Sequence, residues 1–403
     1  VLQRRRAREG IAAEIYESRP GRGNLLATIG EGERCLLLMS HTDVVPVVEA
    51  AWSYPPFDAV IDNGKIYGRG SSDAKSLVST GLMSLIILQR AGVKLDGKVS
   101  FLAAADEEAG GKYGIAWLAK NHPEAIAATW ALNEGGGNPI ERDGALGYLL
   151  ASGEKGRFEA HVTCRGRGGH AAKPWSAQNP LEMLGRLLES IRCYRSEVDV
   201  SHAVFDHLDW FGIPSDVATA NLDIVLEEYV VDSPMASMLK AVSRMSMVPT
   251  MVEAGVKSNS IPGSAQLTCD IRTLPFQDKE YVAGQLAEIM RDIPHTEVRL
   301  EETATANSSP VATRFVDRLR QAMKIVLDRD DLELIPTLTV GFTDSRCVRP
   351  LGTDAYGFAP LVPGADLRNR GVHGADEFIE IDTLQLRTKL YTVLAYLLLA
   401  TAP

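Results

Sequence analysis

The sequence contains few aromatic residues, no excess of basic residues and no paired-cysteine motif. Its five cysteines are scattered without a CxxC spacing, a pattern typical of reduced thiols, and we expect a cytoplasmic protein. Asp and Glu outnumber Lys and Arg by 52 to 42, and the formal net charge of -10 argues against a nucleic acid or an anionic membrane as partner. The longest late apolar run, residues 390–400, is too short to cross a bilayer.

Length and composition favour a folded protein with more than one hydrophobic core. The chain has 403 residues, of which 45% are apolar and 23% are charged, and this length exceeds what one core usually serves. Two domains are therefore the first expectation. Because the chain opens on Val1 rather than Met, the presence of a further N-terminal segment is left open.

The first part of the chain alternates short apolar runs with longer helical patterns. Helices are predicted over residues 74–92 and 113–122, and the first of them ends at a glycine. The apolar runs between them predict buried strands at residues 35–40, 98–105 and 128–133. Strands this apolar are expected in a parallel sheet that is covered on both faces, so the fold class is α/β.

The pattern changes in the middle of the chain, where strand candidates alternate apolar and polar residues. Two amphipathic helices stand out there, residues 180–194, capped by Asn179, and residues 279–291. This order of elements predicts an α+β sandwich inserted as a separate domain. The predicted domains are residues 1–154 together with 304–403 for the wound α/β sheet, and residues 155–303 for the insert.

Acids or a histidine appear at four places in the first domain, mostly where an apolar strand ends. In open α/β sheets, ligands bind beyond the carboxyl ends of the strands. The four stretches are "MSHTDVVP", "GRGSSDAK", "ADEEAGG" and "LNEGGG", and a fifth candidate, His373, lies in "GVHGADEF". Their candidate site residues are His41, Asp43, Asp73, Glu107, Glu108 and Glu134.

Spacing gives some of these residues a specific expectation. His41 and Asp43 are two apart in an extended chain, so Asp43 can hold the imidazole while its other nitrogen binds a metal. Glu107 and Glu108 would point to different sides of an extended segment, one toward a cation and the other toward a water. Each stretch also has a simpler explanation, such as a helix N-cap for Asp73 or a plain turn at the glycines.

Taken together, the motifs resemble the aminoacylase and carboxypeptidase-S-like family of two-metal peptidases, which includes acetylornithine deacetylase and succinyl-diaminopimelate desuccinylase. The resemblance covers almost the whole chain from Met39 onward, with the motifs in family order. The matching stretches are "HTDVVP", "GRGSSDAK", "ADEEAGGKYG", "LNEGGG", "GRGGHAAKP", "NSIPG", "CDIRTLP" and "GVHGADEF".

The resemblance implies a catalytic domain that binds two divalent metal ions. Asp73 would bridge the two ions. His41 and Glu134 would be the other ligands of one ion, and Glu108 and His373 would be the other ligands of the second. Imidazole and carboxylate ligands without thiolate make zinc the expected metal, with cobalt or manganese as alternatives.

The resemblance also implies catalytic roles for two further acids of this domain. Asp43 would orient His41, and Glu107 would act as the general base on a water held between the two ions. The enzyme would then cleave an amide or peptide bond of a small carboxylate-bearing substrate, an N-acyl amino acid or a short peptide.

For the insert, the resemblance implies a ferredoxin-like lid and dimerisation domain, and hence a homodimer. His170 would stabilise the oxyanion of the reaction. Asn259 and Arg272 would bind the substrate carboxylate, a task that suits a guanidinium fork. Without the resemblance, a turn histidine, a strand-end amide and a surface arginine are the simpler readings of these three residues.

Three other functions stay open at this point. A narrow biosynthetic deacylase would use the same dinuclear site, because the metal chemistry is shared and specificity lies in other residues. A non-catalytic binding protein could have the same fold. A cysteine hydrolase would use Cys164 with His170, although nothing in the sequence activates that thiol.

Overall fold

The chain forms two compact units. The structure is a computed structural model that describes residues 1–214, 217 and 221–401. The first unit comprises Val1–Gly153, Ser308–Thr339 and Thr343–Pro403, and the second comprises Glu154–Asn307 and Val340–Phe342. The sequence predicted domain boundaries after residues 154 and 303, between a catalytic domain and a lid domain. This assignment of domains stays a prediction.

Strands and helices alternate in the first stretch of the chain. The helices and strands predicted there are present, with ends that differ by a few residues, except that the strand predicted from residue 35 begins at Gly23. The elements are α1 Leu2–Arg8, β1 Ala12–Glu17, β2 Gly23–His41, β3 Val60–Asp62, β4 Lys65–Tyr67, α2 Lys75–Arg90, β5 Asp96–Ala104, α3 Ile115–Asn121, α4 Pro123–Ile126, β6 Trp130–Asn133, β7 Pro139–Arg142 and β8 Ala145–Glu154.

The second unit follows, and the chain then returns to the first. The second unit contains β9 Gly156–Arg165, β10 Gly169–His170, α5 Pro180–Cys193, α6 Leu222–Tyr229, α7 Ser233–Val242, β11 Ser246–Ala254, β12 Ser260–Ile261, β13 Ser264–Thr273, α8 Lys279–Met290 and β14 Thr296–Ala304. After the short β15 Asn307–Ser308 come α9 Arg314–Leu327, β16 Leu332–Thr339, α10 Ser345–Val348, β17 Asp354–Gly357, β18 Phe378–Glu380 and α11 Ile381–Leu399. No helix among the described residues is both long and apolar enough to cross a membrane.

The main sheet of the first unit is mixed, with a parallel centre. The Cys35–His41 half of β2 runs parallel to β5, and β2 and β17 both run parallel to β6. The pairs β1–β2, β7–β8 and β8–β17 are antiparallel. The predicted α/β class is therefore confirmed, and antiparallel strands flank the predicted parallel core.

Helices cover both faces of this sheet because successive side chains of a strand point to opposite sides. Leu36 and Leu38 of β2 join a core with residues of α2, α9 and α11. Leu37 and Met39 join the opposite core with residues of α3, α4 and α10. The continuous apolar run of β2 is thus explained by burial on two faces, as expected of a central strand.

The second unit has a four-stranded antiparallel sheet in the order β11-β13-β9-β14. One face of the sheet packs against α5 and α8, and the strands β9 and β13 alternate buried and half-buried residues accordingly. Asn179 caps α5 as predicted, accepting the N–H of Leu181. Apart from α6, α7 and a small β10–β12 ladder, the order of elements is the βαββαβ pattern of ferredoxin-like folds. The predicted α+β sandwich is therefore confirmed.

Candidate metal centre

Three neighbouring strands of the first unit end at one edge of its sheet. His41 is the last residue of β2 and pairs with Ala104, the last residue of β5. The strand β6 ends at Asn133, and Glu134 follows it directly. The register therefore brings His41, the acidic segment after β5 and Glu134 to the same edge, where ligands of open α/β sheets bind.

Asp73 precedes helix α2 but does not cap it. The N-cap position is Ala74, and no side chain caps the helix by a hydrogen bond. Asp73 Oδ1 instead lies 3.0 Å from His41 Nε2, and its Oδ2 lies 3.1 Å from His373 Nε2. The capping alternative is excluded, and one carboxylate faces two imidazoles.

Each of these histidines also faces a glutamate. His41 Nε2 lies 3.6 Å from Glu134 Oε2, and His373 Nε2 lies 3.3 Å from Glu108 Oε2. The ligand atoms of His41, Asp73 and Glu108 lie within 4.8 Å of one another. Two candidate ligand sets result, one with His41 and Glu134 and one with His373 and Glu108, and they share Asp73.

Asp43 contacts the site differently from the expectation. His41 Nδ1 donates to the main-chain carbonyl of Asp43 at 3.0 Å, whereas Asp43 Oδ1 is 3.7 Å away. The Asp43 carboxylate accepts the main-chain N–H groups of Glu107 and Glu108 instead, each at 3.1 Å. Because a carbonyl only accepts, Nδ1 of His41 keeps its proton and Nε2 is the atom that faces Asp73. The side chain of Asp43 therefore orients the two glutamates rather than the histidine.

Glu107 and Glu108 lie in a 3-10 turn, Glu107–Ala109, and not in the extended chain that was predicted. Asp106 has a φ of 71°, in the left-handed region, and so bends the chain directly after β5. Its carboxylate accepts the N–H of Tyr113 at 3.0 Å, which anchors the turn. The turn, rather than the alternation of a strand, separates the two glutamate side chains.

Glu107 is partly buried among other acids. Ligand atoms of Glu107, His41 and Glu134 lie within 4.8 Å of one another. Burial, and then the charges of Glu134 and Asp344, raise the pKa of Glu107 to about 9. Where no cation offsets these neighbours, the Glu107 carboxyl therefore holds a proton at neutral pH.

The other carboxylates of the cluster also have too little positive charge nearby to balance them. Burial is the largest cause that raises the pKa of Glu108 and of Glu134. Burial opposes protonation of His41, but hydrogen bonds to Asp73 and Glu134 outweigh it and raise its pKa to about 12. A proton between imidazole and carboxylates thus stands in for a cation. Imidazole nitrogens and carboxylate oxygens are suitable ligands for divalent metal ions, so the residues fit such ions in chemistry and in charge.

His170 and Asn259 lie together in the second unit, on the β10–β12 ladder. His170 pairs with Ser260, and the main-chain carbonyl of Asn259 accepts the N–H of Ala171 at 3.1 Å. His170 Nδ1 accepts the N–H of Ala172 at 3.1 Å, and the side chain is exposed. With Nδ1 accepting, the neutral imidazole carries its proton on Nε2 and can donate a hydrogen bond there.

Arg272 is already engaged in an ion pair within the second unit. Its Nε donates to Asp270 Oδ1 at 2.7 Å, and Arg157 Nε donates to the other oxygen of Asp270 at 2.7 Å. The guanidinium carbon of Arg272 lies 6.0 Å from the ring centre of Phe342. A role in substrate binding would therefore use a guanidinium that Asp270 holds in place.

The motifs did not single out several residues that belong to this environment. Asp344 is buried, and burial, assisted by the charge of Glu134, raises its pKa to about 7. Arg69 and Glu377 form a buried ion pair at 2.6 Å. Glu377 lies in the quoted stretch "GVHGADEF", and Asp344 follows β16, so an acid after a strand was the available signal for Asp344.

The cysteine-hydrolase alternative is not supported. Cys164 is buried, and burial raises the pKa of its thiol. A nucleophilic cysteine needs the opposite shift, toward the thiolate at neutral pH.

The chain is similar in sequence to known proteins over most of its length. The chain is 29% identical to succinyl-diaminopimelate desuccinylase from Methylobacterium radiotolerans over 392 residues, covering 92% of this chain and 83% of the relative. It is 28% identical to human aminoacylase-1 over 337 residues, covering 81% of this chain and 71% of the relative.

The fold has solved counterparts as well. The M20 family metallo-carboxypeptidase Sso-CP2 from Sulfolobus solfataricus superposes with a TM-score of 0.70 at 20% identity, covering 98% of this chain and 93% of the other. The sequence pattern of peptidase family M20/M25/M40 matches residues 37–396. The resemblance read from the motifs is confirmed: this chain belongs to peptidase family M20/M25/M40, and it is a hydrolase of amide or peptide bonds.

Proposed function

We propose that the protein is a dinuclear metal-dependent hydrolase that removes an acyl or aminoacyl group from a small carboxylate-bearing amine. The observation that carries this proposal is the position of Asp73, whose two carboxylate oxygens face His41 and His373 at 3.0 and 3.1 Å. Relatives named desuccinylase and aminoacylase support an N-acyl amino acid as the substrate class, and the family description supports short peptides.

Two divalent cations would be held in the two ligand sets. His41 and Glu134 would complete one set and Glu108 and His373 the other, with Asp73 common to both. Zinc is the metal we propose, because imidazole and carboxylate ligands suit it, and cobalt or manganese are the alternatives. When bound, such ions supply Lewis acidity that polarises an amide carbonyl and lowers the pKa of water.

Glu107 is the proposed general base. The Asp43 carboxylate accepts the main-chain N–H of Glu107, and the Glu107 side chain lies beside His41 and Glu134 at the same edge of the sheet. Glu107 would accept a proton from the attacking water and return it to the leaving amine, so that one carboxyl group serves both steps.

Residues of the second unit are proposed to bind the rest of the substrate. His170 would donate from Nε2 to the developing oxyanion, a role its Nδ1 contact supports. Arg272 would bind the substrate carboxylate, with Asn259 contributing its amide. Since Asp270 already accepts from two nitrogens of Arg272, the substrate carboxylate would have to bind the side of the guanidinium that Asp270 leaves open.

We also propose a homodimer formed through the second unit, which would act as a lid and dimerisation domain. The edge strand β11 exposes Met251 and Val252, at 57% and 53% of their surface, whereas the other edge strand, β14, exposes mostly charged residues. An apolar edge strand is a ready site for pairing with a second chain. The five cysteines, all within the described residues, form no disulfide, which is consistent with the reducing cytoplasm that we propose for the protein.

Removal and return of metal tests the proposal as a whole. Chelator-treated protein should lose hydrolysis of N-acyl amino acids and dipeptides, and zinc, cobalt or manganese should restore it, because the carboxyl cluster needs cations. Rates are measured over a panel of both substrate classes before and after metal is returned. Activity on N-acyl substrates alone would indicate a narrow deacylase. Insensitivity to chelation would contradict the proposal, and metal-loaded protein without activity on the panel would favour a binding protein.

Substitution of Glu107 separates catalysis from metal binding. Glu107→Ala should keep both metal ions but lose turnover by about 100-fold or more, because general acid-base catalysis contributes on that scale. Metal content is measured by elemental analysis and kcat by steady-state kinetics. Glu141→Ala, at an exposed glutamate of the same unit, is the matched control and should leave both unchanged. A fully active Glu107→Ala protein would rule out the role.

Substitution of Arg272 tests carboxylate recognition. Arg272→Ala should raise KM by about tenfold or more for a substrate with a free carboxylate, because a hydrogen bond to a charged group is lost. The same substrate with its carboxylate converted to an amide should show no such change. Arg165→Ala removes an exposed ion pair with Glu297 on the same sheet and serves as control. Equal effects on both substrates would make Arg272 a structural residue.

A charged substitution on β11 tests whether this edge strand forms the proposed dimer. Val252→Lys should shift the protein from dimer to monomer at micromolar concentration, because a lysine on an edge strand opposes pairing. Analytical ultracentrifugation gives the mass. Val298→Lys places the same charge on the opposite edge strand and should leave the dimer intact. A monomeric wild type would remove the dimer from the proposal.

A further inference from the structure

We infer that Glu377 is a positioning residue for the metal centre and that, together with Arg69, it fixes the two segments that carry Asp73 and His373. Neither Glu377 nor Arg69 is among the proposed ligands. The inference rests on the proposed function, since it concerns the same centre. All the residues involved belong to the first unit.

Both carboxylate oxygens of Glu377 are occupied by donors from the segment that ends at Asp73. Oε2 accepts from Arg69 Nη1 at 2.6 Å and from the main-chain N–H of Gly70 at 2.9 Å. Oε1 accepts the main-chain N–H groups of Ser72 and Asp73, both at 2.9 Å. Glu377 has no exposed surface, so these four donors stabilise a fully buried charge.

Arg69 extends this network to the segment of His373. Its second terminal nitrogen, Nη2, donates to the main-chain carbonyl of Gly374 at 2.6 Å, and Gly374 directly follows His373. The main-chain carbonyl of Glu377 also accepts the N–H of Gly68 at 2.8 Å. One guanidinium fork and one carboxylate thus hold the two segments together, and we call these two side chains the Arg69–Glu377 clamp.

The His373 segment needs such an anchor. His373 has a φ of 58° and Asp376 a φ of 54°, both in the left-handed region that costs energy for residues other than glycine. The His373 side chain is 57% exposed, so packing contributes little to its position. Loss of the clamp would free both segments and change the spacing between Asp73 and the two histidines.

The alternative is an ordinary structural ion pair, which would affect stability but not the metal centre. Buried ion pairs are weak indicators of stability, and removing one partner destabilises many proteins. The two possibilities differ in one observable, the affinity of the folded, metal-free protein for metal. Residues that orient metal ligands typically change that affinity by 10- to 100-fold when substituted.

The chain contains a matched control pair nearby. Arg370 Nη1 lies 2.8 Å from Glu380 Oε1, and the two side chains are only 8% and 15% exposed. Glu380 also accepts from Thr383, and within the described residues the Arg370–Glu380 pair makes no hydrogen bond to Asp73 or His373. Glu380→Gln therefore removes a comparable charge without touching the clamp.

The experiment compares Glu377→Gln and Glu380→Gln with the wild type as full-length, metal-free protein. Zinc affinity is measured by competition with a chromophoric chelator, thermal unfolding gives the Tm, and kcat and KM are measured after saturation with zinc. Glu377→Gln should bind zinc about 10- to 100-fold more weakly. Its kcat should fall more than its KM changes, because the ligands and not the substrate contacts have moved. Glu380→Gln should keep the zinc affinity whatever its Tm.

Each outcome decides one question. Zinc affinity of Glu377→Gln equal to that of the wild type, or an equal loss in Glu380→Gln, overturns the inference and leaves the proposed function standing. A wild type that binds no zinc, cobalt or manganese overturns the proposed function instead. If Glu377→Gln does not fold, Arg69→Lys carries the test, since lysine keeps the charge but cannot reach Glu377 and Gly374 with a fork. Unchanged zinc affinity in that variant likewise overturns the inference.

Discussion

Repulsion among the carboxylates that the fold brings together at one edge of a sheet is the main constraint on the metal centre. Asp73, Glu107, Glu108 and Glu134 approach one another around two histidines. Burial and mutual repulsion raise the pKa values of the three glutamates, and a protonated His41 is the nearest compensation. A set of acids with this cost has a use when cations are bound, and the family membership of the chain is consistent with that use.

The fold positions this cluster through main-chain geometry more than through side-chain packing. Parallel register sets His41 beside the end of β5, and the left-handed Asp106 turns the chain there. The Asp43 carboxylate then accepts two N–H groups of that turn, while its carbonyl fixes the imidazole. A single residue thus links two strand ends. The buried core beneath the edge serves as the rigid support that such a centre requires.

How much of this site the sequence predicted depends on how far apart in the chain the contacting residues lie. His41 and Glu134 follow from strand ends, which apolar runs mark. Asp73 and His373 were also candidates from their own stretches, but their roles as ligands came from the family resemblance. The extended geometry assigned to Glu107 was wrong, because spacing does not indicate that Asp106 adopts a positive φ. The role of Asp43 changed because residue spacing does not choose between a carbonyl and a carboxylate as acceptor. Glu377 was missed since its main-chain partners lie about 300 positions away in the chain.

The two units differ in how their charged side chains are paired. In the second unit, Asp270 is shared by Arg157 and Arg272, and Arg157 also lies 3.7 Å from Glu159. Burial and then the charge of Arg272 lower the pKa of the Lys155 ammonium to about 7. Carboxylates and guanidinium groups therefore alternate in this part of the second unit, whereas the carboxylates of the first unit face one another. Under the proposed function, Asp270 would hold the Arg272 guanidinium in place for the substrate carboxylate, and bound cations would balance the carboxylates of the first unit.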